Sequence, residues 1–82
     1  MKVEVKDAAR ADLRAIDRAQ ALAILHAVAR YAATGEGDIK ALHGTEAGKR
    51  RLRVGNWRVI FRIPEPDVVR VLRVRHRSEA NR

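Results

Sequence analysis

Arginine recurs through the last third of the chain, at Arg51, Arg53, Arg58, Arg73, Arg75 and Arg77, in stretches that alternate it with Val, Leu and Ile. A guanidinium fork can hold two phosphate oxygens at once, so a row of such groups is equipped to grip a phosphodiester chain or another polyanion. Two turn signals predict how the row forms. Gly55-Asn56 reads as a two-residue hairpin turn with glycine first. It places Val54 opposite Trp57, Arg53 opposite Arg58 and Leu52 opposite Val59. A four-residue turn over 64–67 places Ile63 opposite Val68, which brings Val59 to Leu72, Arg58 to Arg73 and Trp57 to Val74. Side chains alternate between the faces of a strand. One face then holds Leu52, Val54, Trp57, Val59, Leu72 and Val74, to pack on helices. The other holds Arg53, Arg58 and Arg73 in a row, with Arg51 and Arg75 beside them. Like charges directly opposite each other destabilise a sheet by about 0.2–1 kcal/mol per pair. Stability therefore does not account for the row, and phosphate binding does. The plainer alternatives are a solvated face whose arginines splay into water, or a bulge that shifts the register. Ile60, Val69 and Val71 fall on this same face, and an apolar strip beside cations calls for a cover, either the C-terminal segment or a protein partner.

Three histidines, His26, His43 and His76, stand without metal-ligand spacing, and the chain has no cysteine, so neither a metal nor any other cofactor is expected. His43 and His76 stand beside the arginine face and either contact RNA or are plain surface. Trp57 faces inward in the register above and packs in the core rather than stacking on a base. Tyr31 reads as a helix-face packing residue. Glu46 and Glu79 are the acids nearest the basic face outside the turns, as proton acceptors or as partners of surface cations.

The elements that must position these groups are legible in outline. Val3 and Val5 alternate with charges as a short strand. Asp7 can cap a helix over 8–15. Asp17, with Gln20 three residues later, can open a second helix as a capping box. Leu22, Leu25, Val28, Ala29 and Ala32 form its apolar face, and Gly35 ends it. Residues 35–48 read as a loop-rich connection with a small apolar cluster of Ile39, Ala41 and Leu42. Strands follow over 50–54, 57–63 and 68–75. The order is β-α-α-β-β-β, an α+β domain spanning 1–82, with a mostly antiparallel sheet and both helices on one face. At 82 residues and 46% apolar content, one small core is expected. No apolar run reaches the roughly 20 residues that span a bilayer, and the first ten residues lack a signal-peptide core, so a soluble, cytoplasmic protein is expected. The formal charge of +8 is uneven: residues 1–41 carry 7 Lys+Arg against 6 Asp+Glu, residues 42–82 carry 11 against 4. A nearly neutral helical half is joined to a cationic sheet, which points to nucleic acid, an acidic protein or another anionic surface.

The run LRVGNWRVIFRI, the strand VVRVLRV, the tail HRSEANR and the leading segment DIKALHG resemble the RelE/ParE superfamily of bacterial type II toxins. The resemblance extends over the whole chain in element order and is carried by residues 39–82. It implies a microbial RNase-like fold and an acidic antitoxin encoded beside the toxin, forming a toxin–antitoxin hetero-oligomer. RelE-type members enter the ribosomal A site and cut mRNA by attack of a ribose 2′-hydroxyl on the adjacent phosphate, without a metal. ParE-type members inhibit DNA gyrase and cut no RNA. On this resemblance Arg58 stands where the family grips the scissile phosphate. Arg51 and Arg53 stand where RelE has two lysines. Arg77 stands at the tail arginine that protonates the leaving oxygen, and His43 at a position often basic. The catalytic set so implied is Arg53, Arg58, His76 and Arg77. Arg51, Arg53, Arg73, Arg75 and His43 bind RNA phosphates, and Ile60, Val69 and Val71 receive the antitoxin. The chain departs from the pattern at Asn81, where RelE-type tails carry a tyrosine that stacks on the base; asparagine neither stacks nor accepts a proton. Three readings follow: His76 takes over proton transfer, the toxin is weakened or inactive and works with its antitoxin in a repressor complex, or it belongs with the non-nuclease members.

Overall fold

Alternation of Val3 and Val5 with charged neighbours produces the first strand, β1 (Lys2–Val5), in a computed structural model that describes residues 1–80. Two helices follow, α1 (Asp7–Arg14) and α2 (Arg18–Thr34). Then come β2 (Asp38–Ala41), a 3-10 turn at Gly44–Glu46, β3 (Arg50–Val54), β4 (Trp57–Glu65), β5 (Val68–His76) and a closing turn of helix, α3 (Arg77–Ala80). The strands make one five-stranded sheet in the order β1-β5-β4-β3-β2. Every pairing is antiparallel except β1 with β5. The architecture is α+β, with α1 and α2 on one face of a mixed sheet. No helix among the described residues is long and apolar enough to cross a membrane.

The helix ends follow local chemistry, with two adjustments. Asp7 is the first residue inside α1 and Lys6 occupies the cap position, so Asp7 acts as a charge on the helix N-terminus rather than as a cap. Asp17 does cap α2: its Oδ2 accepts the Gln20 N–H at 3.3 Å. The reciprocal half of the capping box is missing because the Gln20 side chain is engaged elsewhere, its Oε1 accepting from Trp57 Nε1 at 3.2 Å. Gly35 closes α2 in the left-handed region, φ 76°, donating to Tyr31 O at 2.7 Å.

The face of α2 that meets the sheet differs from the expected one. Ile24, Val28, Tyr31 and Ala32 are buried, while Leu22 and Leu25 remain 44% and 39% exposed and Ala29 is exposed. An alanine-rich helix offers more than one apolar stripe. The stripe chosen carries Ile24 and Tyr31, whose ring packs on Phe61 with centroids 5.2 Å apart. The segment expected to be a loop contains β2, an edge strand pairing Ile39 with Leu52. Its signal is weak, because only Ile39 of its four residues turns even half-buried toward the core.

Register decides which residues share a face. Gly55 sits at φ 58° and no described non-glycine residue has positive φ, so the turn has one left-handed residue, as type II′ requires. The β3–β4 pairs are as expected: Val54 with Trp57, Arg53 with Arg58, Leu52 with Val59. The β4–β5 pairs are not. The strands run on to Glu65 and Val68, which pair directly, leaving Pro66-Asp67 as the turn. Near the hairpin's open end this moves the register by two: Trp57 pairs with His76, Arg58 with Arg75 and Val59 with Val74. Between them lies a bulge. Ile60 pairs with Arg73 and Phe61 with Val71, so Leu72 is the extra residue and the alternation of β5 inverts across it. Val69 and Val71, expected on the arginine face, are therefore core residues, 1% and 2% exposed, and Leu72 takes the outer face.

The core joins these elements: Ala9, Ile24, Val28 and Tyr31 from the helices, Leu52, Val59, Phe61, Val69, Val71 and Val74 from the sheet. Truncating Ile24 to Ala should cost about 2–5 kcal/mol by loss of buried methylenes plus the cavity left behind. Leu25→Ala should cost under about 1 kcal/mol, because its side chain is substantially in water. Urea denaturation of the two variants checks this choice of helix face.

Candidate polyanion-binding cleft

The register lays the outer face of the sheet out in rows across the strands. The first row reads Asp38, Arg53, Arg58, Arg75 from β2 to β5, and the second Lys40, Arg51, Ile60, Arg73. A third, nearer the β4–β5 turn, pairs Arg62 with Arg70 and Arg70 with Glu4. Residues 42–49 fold over one side of this face. They are held by Leu42 N–H to Lys49 O at 3.0 Å and by the turn at Gly44–Glu46, where Ala47 N–H reaches Gly44 O at 3.1 Å. Sheet and loop enclose a cleft of about 550 Å³. Arg51, Arg58, Arg73 and Arg75 line it beside an apolar floor of Ile60 and Leu72, and His43, Thr45 and Glu46 form its loop wall.

Carboxylates stand around the cleft, and one of them, Asp38, ends the first row at β2. Arg51 reaches Asp38 at 3.5 Å, Arg70 reaches Glu4 at 2.8 Å, Lys49 reaches Glu46 at 2.8 Å, and Arg73 reaches Asp12 of α1 at 2.8 Å. Arg53 and Arg75 have no ion pair or side-chain hydrogen bond among the described residues. Among the described residues Arg58 is fixed by neutral groups alone: its Nη1 donates to Gly55 O at 3.3 Å and Trp57 O at 3.1 Å. Desolvation, then repulsion from Arg53, Arg51 and Arg77, moves the Arg58 guanidinium below its ordinary pKa. It remains charged, as arginine does in proteins, and an anion placed there would relieve the repulsion. Arg51 adds a buried Nε–H with no partner among the described residues. The arrangement is chemically suited to holding phosphate oxygens: one arginine of fixed orientation, flanked by cations, over an apolar floor.

Over residues 3–81 the sequence matches the family described as the ParE toxin of type II toxin-antitoxin systems, parDE. The chain belongs to this family. The toxin is 31% identical to a chain of the RelBE2 toxin-antitoxin complex from Mycobacterium tuberculosis, with 94% of this chain and 91% of that chain covered and a TM-score of 0.71. It also superposes on a chain of the RelB-RelE antitoxin-toxin complex from Methanococcus jannaschii, at 19% identity, 95% and 94% coverage and a TM-score of 0.74. A third match is the YoeB/ParE toxin from Agrobacterium tumefaciens, at 19% identity, 93% and 98% coverage and a TM-score of 0.75. The last two demonstrate a common fold. Among curated proteins no match is found.

Seen in the toxin, the residues singled out by sequence divide into groups. Arg51, Arg58, Arg73, Arg75 and His43 line one cleft, and Arg53 stands beside Arg58 in its row. Arg77 opens α3 close enough to Arg58 to repel it, with its backbone N–H on Asn56 O at 2.8 Å. His76 is elsewhere. As the cross-strand partner of Trp57 it shares the helix-side face, its ring edge-on to the indole at 5.2 Å and 86°, with Nδ1 3.0 Å from Ser78 Oγ. It does not face the arginines, contrary to its expected place in the catalytic set. Val69 and Val71 are buried, so the apolar strip expected to receive an antitoxin reduces to Ile60, joined by Leu72. Asn81 lies outside the described residues. Sequence reasoning missed Asp12, whose carboxylate pairs with Arg73 across 61 positions; no local pattern announces a contact so distant in sequence. Among the described residues no three His, Asp or Glu side chains converge as metal ligands.

Asp12 also makes a pH prediction. Partial burial would raise its carboxyl pKa. Hydrogen bonds from Arg73 and the Val74 N–H outweigh this and hold it below the ordinary value. A depressed folded pKa gives stability that is fully present above the unfolded value of about 3.9 and is lost as pH falls through the folded one. The stability gap between the wild type and Asp12→Asn should therefore be on the order of 1 kcal/mol near neutral pH, since Arg73 is nearly half exposed and screened. It should close below pH ~4; urea midpoints measured from pH 7 down to 2.5 follow it.

Proposed function

We propose that the toxin acts by binding RNA in the arginine cleft and cleaving mRNA on the ribosome. The observation that supports this most directly is the row Arg53, Arg58, Arg75 on a concave face, which has no ion pair among the described residues while Arg51, Arg70 and Arg73 beside it each have one. In this reading Arg58, oriented by Gly55 O and Trp57 O, holds the non-bridging oxygens of the scissile phosphate, and Arg53 and Arg75 hold its surroundings. The ribose 2′-oxygen forms a new bond to phosphorus and gives up its proton. The P–O5′ bond breaks, and the 5′-oxygen takes a proton as it leaves, giving a 2′,3′-cyclic phosphate. Charge on the crowded phosphate is what the cations stabilise. With His76 turned away, the groups in the cleft wall able to accept the first proton are His43 and Glu46. Side-chain hydrogen bonding to Lys49 lowers the Glu46 pKa and makes it the weaker base, so His43 is the stronger candidate. In this reading Arg77, near enough to Arg58 to repel it, stabilises the leaving oxygen.

A second reading, inhibition of DNA gyrase without RNA cleavage, is favoured by two observations. His76 lies off the arginine face, and the tail carries Asn81 where a nuclease of this superfamily carries tyrosine. In either reading an acidic antitoxin is the partner that fits a chain of net charge +8, covering the arginine row and the Ile60–Leu72 floor.

Two assays separate the readings. Primer extension on programmed ribosomes should reveal new mRNA ends with the wild type. Arg58→Ala should reduce cleavage by about 100-fold or more, the scale of losing one preorganised charge stabiliser. Intact mRNA at toxin excess, with gyrase supercoiling blocked in a parallel reaction, would replace the nuclease reading with the second.

A further inference from the structure

β1 ends at Val5, and its last link to β5 is the Lys6 N–H on Val71 O at 2.9 Å. Beyond Val71 the edge of β5 has no strand beside it. α1 occupies this place, and Asp12 Oδ2 accepts the Val74 N–H at 2.8 Å, as a neighbouring strand's carbonyl would. The same carboxylate takes Arg73 Nε at 2.8 Å on Oδ2 and Nη2 at 3.0 Å on Oδ1. These two N–H groups form one side of the guanidinium fork, the side that would otherwise hold a phosphate in two-point fashion. The Leu72 bulge is what brings Arg73 within reach of α1. Arg58 contrasts with it in every respect, being tied through Nη1 alone, to neutral carbonyls, with Nε and Nη2 unspent.

We propose that Asp12 is a positioning residue that withholds Arg73 from anions, so that the cleft meets a polyanion through Arg53, Arg58 and Arg75 and keeps a fourth arginine in reserve. Hydrogen bonding to the Asp12 carboxylate, then its charge, raises the Arg73 pKa, opposite to the direction found for Arg58. A movement of α1 away from β5 exposes Val74 N–H and frees the Nε–Nη2 edge of Arg73, in the cleft it already lines, together. The polyanion in this proposal rests on the RNA-binding reading above; the withholding of Arg73 does not, and the experiment keeps them apart.

Arginine side-chain Nε–H signals are followed by NMR while the toxin is titrated with inorganic pyrophosphate. In the wild type the Arg58 and Arg75 signals should shift and that of Arg73 should stay. In Asp12→Asn, which retains an oxygen to accept the Val74 N–H, the Arg73 signal should join them. In parallel, binding of a fluorescent ten-nucleotide oligouridylate is measured against salt. The log–log slope should steepen by about 0.7 in Asp12→Asn, one added phosphate contact on a single strand, and return to the wild-type value in Asp12→Asn/Arg73→Gln. An Arg73 signal that shifts with that of Arg58 in the wild type overturns the proposal and needs no variant. A gain that survives in the double variant overturns it too. Pyrophosphate shifts as expected with no salt-dependent binding of oligouridylate would uphold the withholding of Arg73 while removing RNA as the ligand.

Discussion

β5 has two neighbours that run in opposite directions, β1 parallel along Val68–Val71 on one side and β4 antiparallel on the other, and just beyond the end of β1 it carries one extra residue against β4. Without the bulge at Leu72, strict alternation would put either Val69 and Val71 or Val74 on the solvent face, and the core would lose part of its floor. With it, all three valines turn inward, Arg75 stays in line with Arg58 and Arg53, and Arg73 leans to α1. Core and cationic face thus depend on the same irregularity. Bulges recur where a strand must re-aim a side chain near a working surface, and here two arginines are re-aimed in different senses.

The placement of carboxylates gives that surface its selectivity. Asp38, Glu4, Glu46 and Asp12 each stand at the margin, and each engages a peripheral cation. Exposed pairs of this sort add little to stability. What they do is offset part of the charge around the first row, while Arg53, Arg58 and Arg75 keep no ion pair among the described residues. A cleft with an apolar floor strengthens their field by excluding water from part of it.

Much of this was legible in the sequence, for identifiable reasons. Asp17, Gly35 and Gly55 are local signals, each acting on backbone within three or four residues, and each does what its chemistry predicts. The β3–β4 register follows from one short turn and is right to the residue. The β4–β5 register fails because Pro64 and Pro66 suggest a wider turn than forms, and because a bulge breaks the count. A sign of the bulge is present, since Arg70, Arg73 and Arg75 are spaced by three and then two. The orientation of α2 was not legible, because with so many alanines the helix commits only when Ile24 and Tyr31 meet the sheet. Nor was the place of His76, which follows from the register alone.

The parallel pairing of β1 with β5 has a consequence for the order of events during synthesis. β1 is made before the other strands, and its only strand partner among the described residues is β5, more than sixty positions later. Such a contact closes a long loop and is slow to form. While translation is under way, the first half can offer only two marginal helices and an unpaired strand. The arginine face does not exist on a nascent chain, because Arg75 has no row to join until β4 and β5 have emerged. The cationic surface is thus a late product of folding, complete only when the strands at both ends of the sheet order are in place.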